Sequence, residues 1–368
     1  MQLKCNKIDL LNGVNTVLKA VSSRTTLPIL QCILLQTTDS QLKLIGNDLE
    51  LGIETKVNAR IEENGSIALD ARIFSEIVKK LPDNEVTIIV DGNNHTTIKC
   101  EKTKFNISGY PGNEFIQLPL IEKNNSFVIS QSIFKEMIRQ TIFSIALEEI
   151  RPVFTGELLE VKNQKFSIVS VDGYRVSTRE AEIEEKTDDF KVIVPGKTLN
   201  EMHKILSQDE DELITIYYTD KHVLFEIDNT IVVSRLLEGE FPKYDQMFLM
   251  DYEIKANVDR KKMIMSLERA ALITRENKKN PIKIEIKSNE MIITSNTEIG
   301  NVYEEIDIQK EGKEIIIAFN PKYLIDALKV IDDDYVDIQF TNSSNPCIIR
   351  KVDGDDFKYL ILPIRLSS

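Results

Sequence analysis

Phe74-Ser75-Glu76-Ile77-Val78-Lys79-Lys80-Leu81, then Pro82-Asp83-Asn84-Glu85, then Val86-Thr87-Ile88-Ile89-Val90, is the stretch on which the fold turns. Its apolar residues at 74, 77, 78 and 81 share one face of a helix, and the acidic turn leads into a run of strand formers. The pattern returns from Leu199 to Leu206, with Gln208-Asp209-Glu210-Asp211-Glu212 before Leu213-Ile214-Thr215-Ile216. A third copy runs from Leu324 to Ile331, with Asp332-Asp333-Asp334 before Tyr335-Val336-Asp337-Ile338. Phe74, Leu199 and Leu324 are spaced 125 residues apart, as are Leu81, Leu206 and Ile331, so the chain is built from one unit used three times.

An earlier helix also occurs three times, predicted over Asn6–Val21, Ser130–Leu147 and Asp259–Arg275. Ser130 or Ser132 is placed to cap the second of these. Each helix precedes a strand, a tight turn and a strand. The turns are expected at Ile45-Gly46-Asn47-Asp48, Ser170-Val171-Asp172-Gly173 and Ser295-Asn296-Thr297. Alternating runs such as Ile282-Lys283-Ile284-Glu285-Ile286 mark strands with one buried face. The expected class is α+β: three repeated domains, residues 1–122, 123–252 and 253–368, each with two helices and antiparallel sheets.

Net charge is −13, which by itself speaks against a nucleic-acid partner. Its distribution reverses that inference. The six helical stretches, 6–21, 71–81, 130–147, 197–207, 259–275 and 321–330, carry +9 together, leaving −22 for the rest of the chain. Helix propensity alone does not explain this, since Glu is as good a helix former as Lys. A surface lined by cationic helices, with an acidic exterior, follows. Twelve such helices from two chains, set about 10 Å apart, would make a circumference of about 120 Å. Roughly 28 Å of hole would remain inside them, roomy enough for a duplex.

Catalytic constellations do not assemble. Pro195-Gly196-Lys197-Thr198 imitates the end of a phosphate loop, but the earlier glycine such a loop needs falls at Lys191. Ser132-Ile133-Phe134-Lys135 lacks its partner motifs. His95, His203 and His222 have no i+4 partner and no nearby cysteine, and the acidic runs 209–212 and 332–334 read as solvated loops. No metal or cofactor is expected. Cys5, Cys32, Cys100 and Cys347 are scattered, no apolar run reaches membrane-spanning length, and Met1–Asn6 has no secretory character. A cytoplasmic protein with buried free thiols is the expectation.

Over its whole length the chain resembles the bacterial DNA polymerase III beta subunit, or sliding clamp, family. The motifs are Arg24-Thr25-Thr26-Leu27-Pro28-Ile29-Leu30 and Gly46-Asn47-Asp48-Leu49-Glu50 in the first repeat. The second has Asp172-Gly173-Tyr174-Arg175, Val192-Ile193-Val194-Pro195 and Gly239-Glu240-Phe241-Pro242-Lys243-Tyr244. Arg269-Ala270-Ala271, Phe319-Asn320 with Tyr323, and Leu362-Pro363-Ile364-Arg365-Leu366 complete the third. The resemblance implies a DNA clamp fold closing as a head-to-tail dimeric ring. It also implies a non-catalytic processivity factor that encircles duplex DNA and tethers the replicative polymerase and other proteins.

Residue by residue, the resemblance places a pocket for short linear peptides between the second and third domains. The second repeat and the linker after it supply Phe154, Val171, Gly173, Tyr174, Arg175, Val176, Pro242 and Met247. From the third come Asn320, Tyr323, Ser344 and Pro346, with Leu360, Ile361, Leu362, Pro363, Ile364 and Arg365 at the terminus. Arg24, Arg72 and Lys197 match or neighbour DNA-facing positions. The dimer contact would join Phe105 and Ile107, flanked by Lys102 and Lys104, to Leu272 and Ile273, with Glu304 and Glu305 as acidic counterparts. Three positions depart from relatives: Lys278 replaces an apolar pocket-edge residue, Gln246 a basic one, and Glu148 an uncharged one. An ATP-driven loader is implied as a further partner.

Overall fold

The computed structural model describes residues 1–22, 24–147, 151–183, 187–249, 251–274, 281–298 and 300–365. Six α-helices occur in it: α1 (Lys7–Val17), α2 (Ala71–Lys80), α3 (Gln131–Thr141), α4 (Gly196–Ile205), α5 (Arg260–Ala271) and α6 (Pro321–Lys329). The repeat extends to the caps. Asn6, Asp70, Asp259 and Asn320 each accept a hydrogen bond from the backbone N–H of a first-turn residue, namely Ile8, Ile73, Lys262 and Lys322. The Ser130 hydroxyl donates to the Glu210 carbonyl at 3.1 Å.

The first-type helices are shorter than their patterns predict. α1 and α3 tighten into 3₁₀ turns at Leu18–Ala20 and Ile142–Ser144, whose i→i+3 bonds satisfy the last carbonyls, and α5 ends at Ala271. Two predicted turns also move. The strand Gln41–Asn47 runs through Ile45 and Gly46, so the chain reverses at Asp48–Glu50. Ser295, Asn296 and Thr297 are strand, with Ser295 opposite Val302 and Thr297 opposite Gly300. Turn-tolerant residues also fit an antiparallel ladder, so composition locates a turn only to within a few positions.

Contacts divide the chain into two units, residues 1–131 with 204–236 and residues 132–203 with 237–368. In the first, an antiparallel sheet runs from Ser126–Ser130 through Leu213–Tyr218, His222–Ile227, Thr230–Arg235, Leu51–Glu63, Gln2–Asn6, Glu85–Val90 and His95–Cys100 to Thr103–Ser108. α1 packs on α2 and on the long strand Leu51–Glu63. In the second, α5 and α6 lie side by side, and Met263, Leu267, Leu324 and Leu328 pack with Ile284, Met291, Ile338 and Ile349 into one core. Cys5, Cys32, Cys100 and Cys347 are all buried free thiols, and burial pushes Cys5 up to about 12 and Cys32 to about 11.

Glu157, on the strand Gly156–Lys162 of the second unit, is fully buried, and neither carboxyl oxygen has a hydrogen-bond partner among the described residues. Burial, offset in part by the neighbouring Thr141 hydroxyl, pushes its carboxyl from 4.5 up to about 8. An unfolded chain ionises this group near 4.5, whereas the folded chain holds the proton until pH rises past about 8. Folding stability is therefore lost by about 1.4 kcal/mol per pH unit across that interval. Glu157→Gln is expected to remove this slope, so that denaturant midpoints of variant and wild type diverge steadily from pH 5 to pH 8. Parallel midpoints over that range would contradict it.

Candidate functional site

The turn Asp172-Gly173-Tyr174-Arg175 joins two strands of the second unit, Lys165–Val171 and Arg175–Glu182. Asp172 Oδ1 accepts from the backbone N–H of Tyr174 at 2.9 Å and of Arg175 at 3.1 Å. Gly173 adopts φ +89°, where any side chain would be strained. This geometry turns Arg175 inward, to 7% exposure. Its Nε donates to Asp172 Oδ2 at 2.9 Å, Nη1 to Asp326 Oδ2 on α6 at 2.8 Å, and Nη2 to the Phe143 carbonyl.

Aromatic rings enclose the same guanidinium. Its central carbon is 5.3 Å from the Phe143 ring centroid and 4.7 Å from that of Tyr323. Tyr174 stacks on Tyr323 with centroids 5.9 Å apart and planes 24° from parallel. Phe143, Arg175, Tyr323 and Tyr174 thus form a column from interior to surface, where Tyr174 is 48% exposed. Asn320 starts α6 beside it by accepting from Lys322 N at 3.0 Å.

Next to the column lies an apolar floor. Leu158, Val169, Val171, Val176, Ile193 and Leu360 form one buried cluster, edged by Val153, Phe154, Leu237, Phe241, Tyr244 and Phe248. Pro242 and Met247 sit in the same linker segment, half-buried and exposed respectively. The Tyr244 hydroxyl donates to Glu160 at 2.7 Å, which pins that segment to the sheet. The terminal segment continues the wall: Leu362 N donates to the Tyr174 carbonyl at 2.9 Å and Ile364 N to the Ala318 carbonyl at 2.8 Å. Leu362 and Arg365 are exposed, Pro363 and Ile364 half-buried.

Ile361, expected in the peptide pocket, is 1% exposed and belongs to the core around α5 and α6, because adjacent strand residues point to opposite faces and Leu360 joins the cluster with Val171 and Val176. Ser344, exposed, and Pro346, half-buried, lie on the loop entering the strand Cys347–Lys351, which pairs with Phe357–Ile361.

Two of the strand edges open among the described residues bear on the expected dimer contact. Thr103–Ser108 pairs only with His95–Cys100 among the described residues, and carries half-buried Phe105 and Ile107 between exposed Lys102 and Lys104. In the other unit, Gly300–Gly312 pairs with Glu290–Thr297 as far as Asp307 and with Ile254–Asp259 only from Ile308 onward, leaving one side of its first half without a ladder partner among the described residues. Just past α5, Leu272 is 83% exposed and Ile273 half-buried. Glu304 differs from expectation: Arg269 binds its carboxylate (2.8 Å from Nε to Oε1) and holds it below the usual carboxylate range. Glu305 is exposed and accepts from the Tyr303 hydroxyl.

Family models describing the DNA polymerase III beta subunit match residues 1–119 (N-terminal domain), 128–243 (central domain) and 246–365 (C-terminal domain). The chain belongs to the DNA polymerase III beta subunit family. The Beta sliding clamp of Bacillus subtilis is 38% identical over 99% of this chain and 100% of its own. A crystal structure from Eubacterium rectale, assigned to the DNA polymerase III beta subunit, covers 100% of both chains at 49% identity with TM-score 0.96. A Pseudomonas aeruginosa sliding clamp bound to griselimycin superposes with TM-score 0.95 at 28% identity over 100% of both chains. The fold is the three-domain clamp fold, and the role is that of a processivity clamp rather than an enzyme.

Arg24, Arg72 and Lys197 are all exposed. Among the helix cations, Arg139 pairs with Glu136 and Asp332, Lys261 with Asp334, and Lys329 with Glu268. The acidic run 332–334 therefore serves partly as a set of counterions, and no described cluster of His, Cys, Asp or Glu could hold a metal. Glu148 and Lys278 lie outside the described residues, and Gln246 is exposed beside Met247. No helix of the described residues is long and apolar enough to cross a membrane. Phe143 and Asp326 went unselected in the sequence, and Asp172 was read there only as part of a turn and a motif. Asp326 left a signal, three residues past Tyr323 on one helix face.

Proposed function

We propose that two copies of the chain join head to tail into a ring that encircles duplex DNA in the cytoplasm. The domains divide as 1–122, 123–252 and 253–368. One observation carries the reading. Within the chain the same junction is made twice: Thr230–Arg235 pairs with Leu51–Thr55, and Phe357–Ile361 with Arg175–Arg179. The repeat-equivalent strands left over are Thr103–Ser108 and the first half of Gly300–Gly312, both with an edge open among the described residues. Pairing them in one chain with those of a second copy makes the third junction, and doing so twice closes a ring. Leu272 and Ile273 then cover Phe105 and Ile107, beside the open groove bordered by Ile73 and Ile77 of α2.

Retention is topological. The cations Arg24, Arg72 and Lys197 meet phosphates weakly and without sequence preference, which permits sliding and makes contact salt-sensitive. The replicative polymerase, the ATP-driven loader and other proteins dock by short linear peptides. Their docking site is the floor of Phe154, Val171, Val176 and Leu360, the Tyr174–Tyr323 wall, and the rim of Pro242, Met247, Asn320, Ser344, Pro346 and Leu362–Arg365. Held there, a polymerase works at high effective concentration beside its template. Loading on nicked circular DNA followed by linearisation tests this reading: the protein is expected to leave with the creation of ends, and retention on linear DNA would mark an ordinary groove binder.

A further inference from the structure

Asn320, Tyr323 and Asp326 occupy positions i, i+3 and i+6 of α6 and so share one helix face. Asn320 and Tyr323 belong to the peptide site, whereas Asp326 is set back from it at 20% side-chain exposure. Its Oδ2 accepts from Arg175 Nη1 at 2.8 Å, and Lys322 Nζ reaches both of its oxygens at 3.0 and 3.1 Å. The other polar partners of Arg175, Asp172 and the Phe143 carbonyl, come from its own turn and from the segment after α3. Among the described residues, Asp326 is the carboxylate through which α6 reaches the guanidinium.

We propose that Asp326 is a positioning residue for peptide binding: from α6 it holds Arg175, and so keeps the Phe143–Arg175–Tyr323–Tyr174 column in register and fixes the distance between α6 and the Asp172–Arg175 turn. This rests on the peptide site assigned above. Arg175 is too deeply placed to act as a surface cation for a partner, and its value lies in what it holds. Stacking requires planes a few ångströms apart, and a guanidinium tied on both sides sets that spacing more firmly than ring contact does alone. With one tether gone, the buried guanidinium keeps only its own turn and is free to shift, and the Tyr323 and Tyr174 rings follow it. Lys322, 69% exposed, contributes little by comparison.

The full-length dimer is titrated with a fluorescein-labelled decapeptide bearing the replicative polymerase's clamp-binding segment, with griselimycin as competitor. Asp326→Ala is expected to weaken both ligands at least about tenfold. Asp326→Asn, which keeps an acceptor oxygen, should recover part of the loss, and Lys322→Ala should stay within about twofold. The chain has no Trp, so its near-UV circular dichroism is free of indole signal, and the tyrosine band is expected to diminish in Asp326→Ala with dimer mass unchanged. Tyr323→Ala is the reference. Wild-type affinity in Asp326→Ala beside weakened binding in Tyr323→Ala overturns the role of Asp326 alone. Wild-type affinity in both overturns the peptide site and this inference with it. Should Asp326→Ala fail to fold, Asp326→Asn decides, since undiminished affinity and an unchanged tyrosine band in it contradict the proposal.

Discussion

Leu272→Asp is expected to convert the protein from dimer to monomer at concentrations where the wild type stays paired. In one chain the side chain is 83% exposed at the end of α5, so the substitution removes no internal packing. In the proposed ring, each of two junctions would bury one copy of it against Phe105 and Ile107. Burying a leucine contributes about 1.5–3 kcal/mol, lost twice per ring, and each aspartate adds the desolvation of an unpaired carboxylate. The dimer dissociation constant should therefore rise by about a thousandfold or more. Sedimentation at nanomolar protein would show species of 42.1 kDa, the mass of one chain, instead of twice that value. A dimer of undiminished stability would remove Leu272 from the junction, and an unaltered melting temperature would verify that the monomer itself is intact.

Removing residues 364–368 should abolish peptide binding, by about a hundredfold or more in affinity, without touching the dimer. Ile364 is the last described residue bonded to the body of the chain, through its N–H to the Ala318 carbonyl. Loss of that bond leaves Pro363 held only through Leu362, whose N–H donates to the Tyr174 carbonyl, so the proposed pocket wall loosens as well as losing one half-buried isoleucine. The junction strands Thr103–Ser108 and Gly300–Gly312 are distant in sequence from this segment and keep their ladders. Fluorescence polarisation with the labelled polymerase peptide reads the first effect and solution mass the second. Equal affinity before and after trimming would contradict the assignment of the site.

Much of the fold was legible because its signals are local and recur. The spacing of Phe74, Ile77, Val78 and Leu81, met again from Leu199 and from Leu324, states helix, turn and strand three times over. Helix lengths were less so: Val17 and Thr141 end their helices where 3₁₀ turns take over the carbonyls, a choice no periodicity announces. The site was legible in part. Asp172-Gly173-Tyr174-Arg175 declares a turn, and the resemblance put Arg175 in a peptide pocket, but its three hydrogen-bonding partners, two of them far off in the chain, are seen only in the fold. Glu304 likewise reads as a free acidic partner, although Arg269, a helix away, already holds it.

By itself the sequence determined the threefold unit, the six helices and the sign of the charge on them, since periodicity and charge are properties of short runs. Tertiary structure alone decided which strands pair across the repeats, that Leu360 joins the cluster of Val171 and Val176 while Ile361 joins the core around α5 and α6, and that Arg175 is tethered to Asp326 across 151 residues. Those outcomes depend on strand register and on pairings between distant segments, where a shift of one residue exchanges the two faces of a strand and no local pattern records the partner.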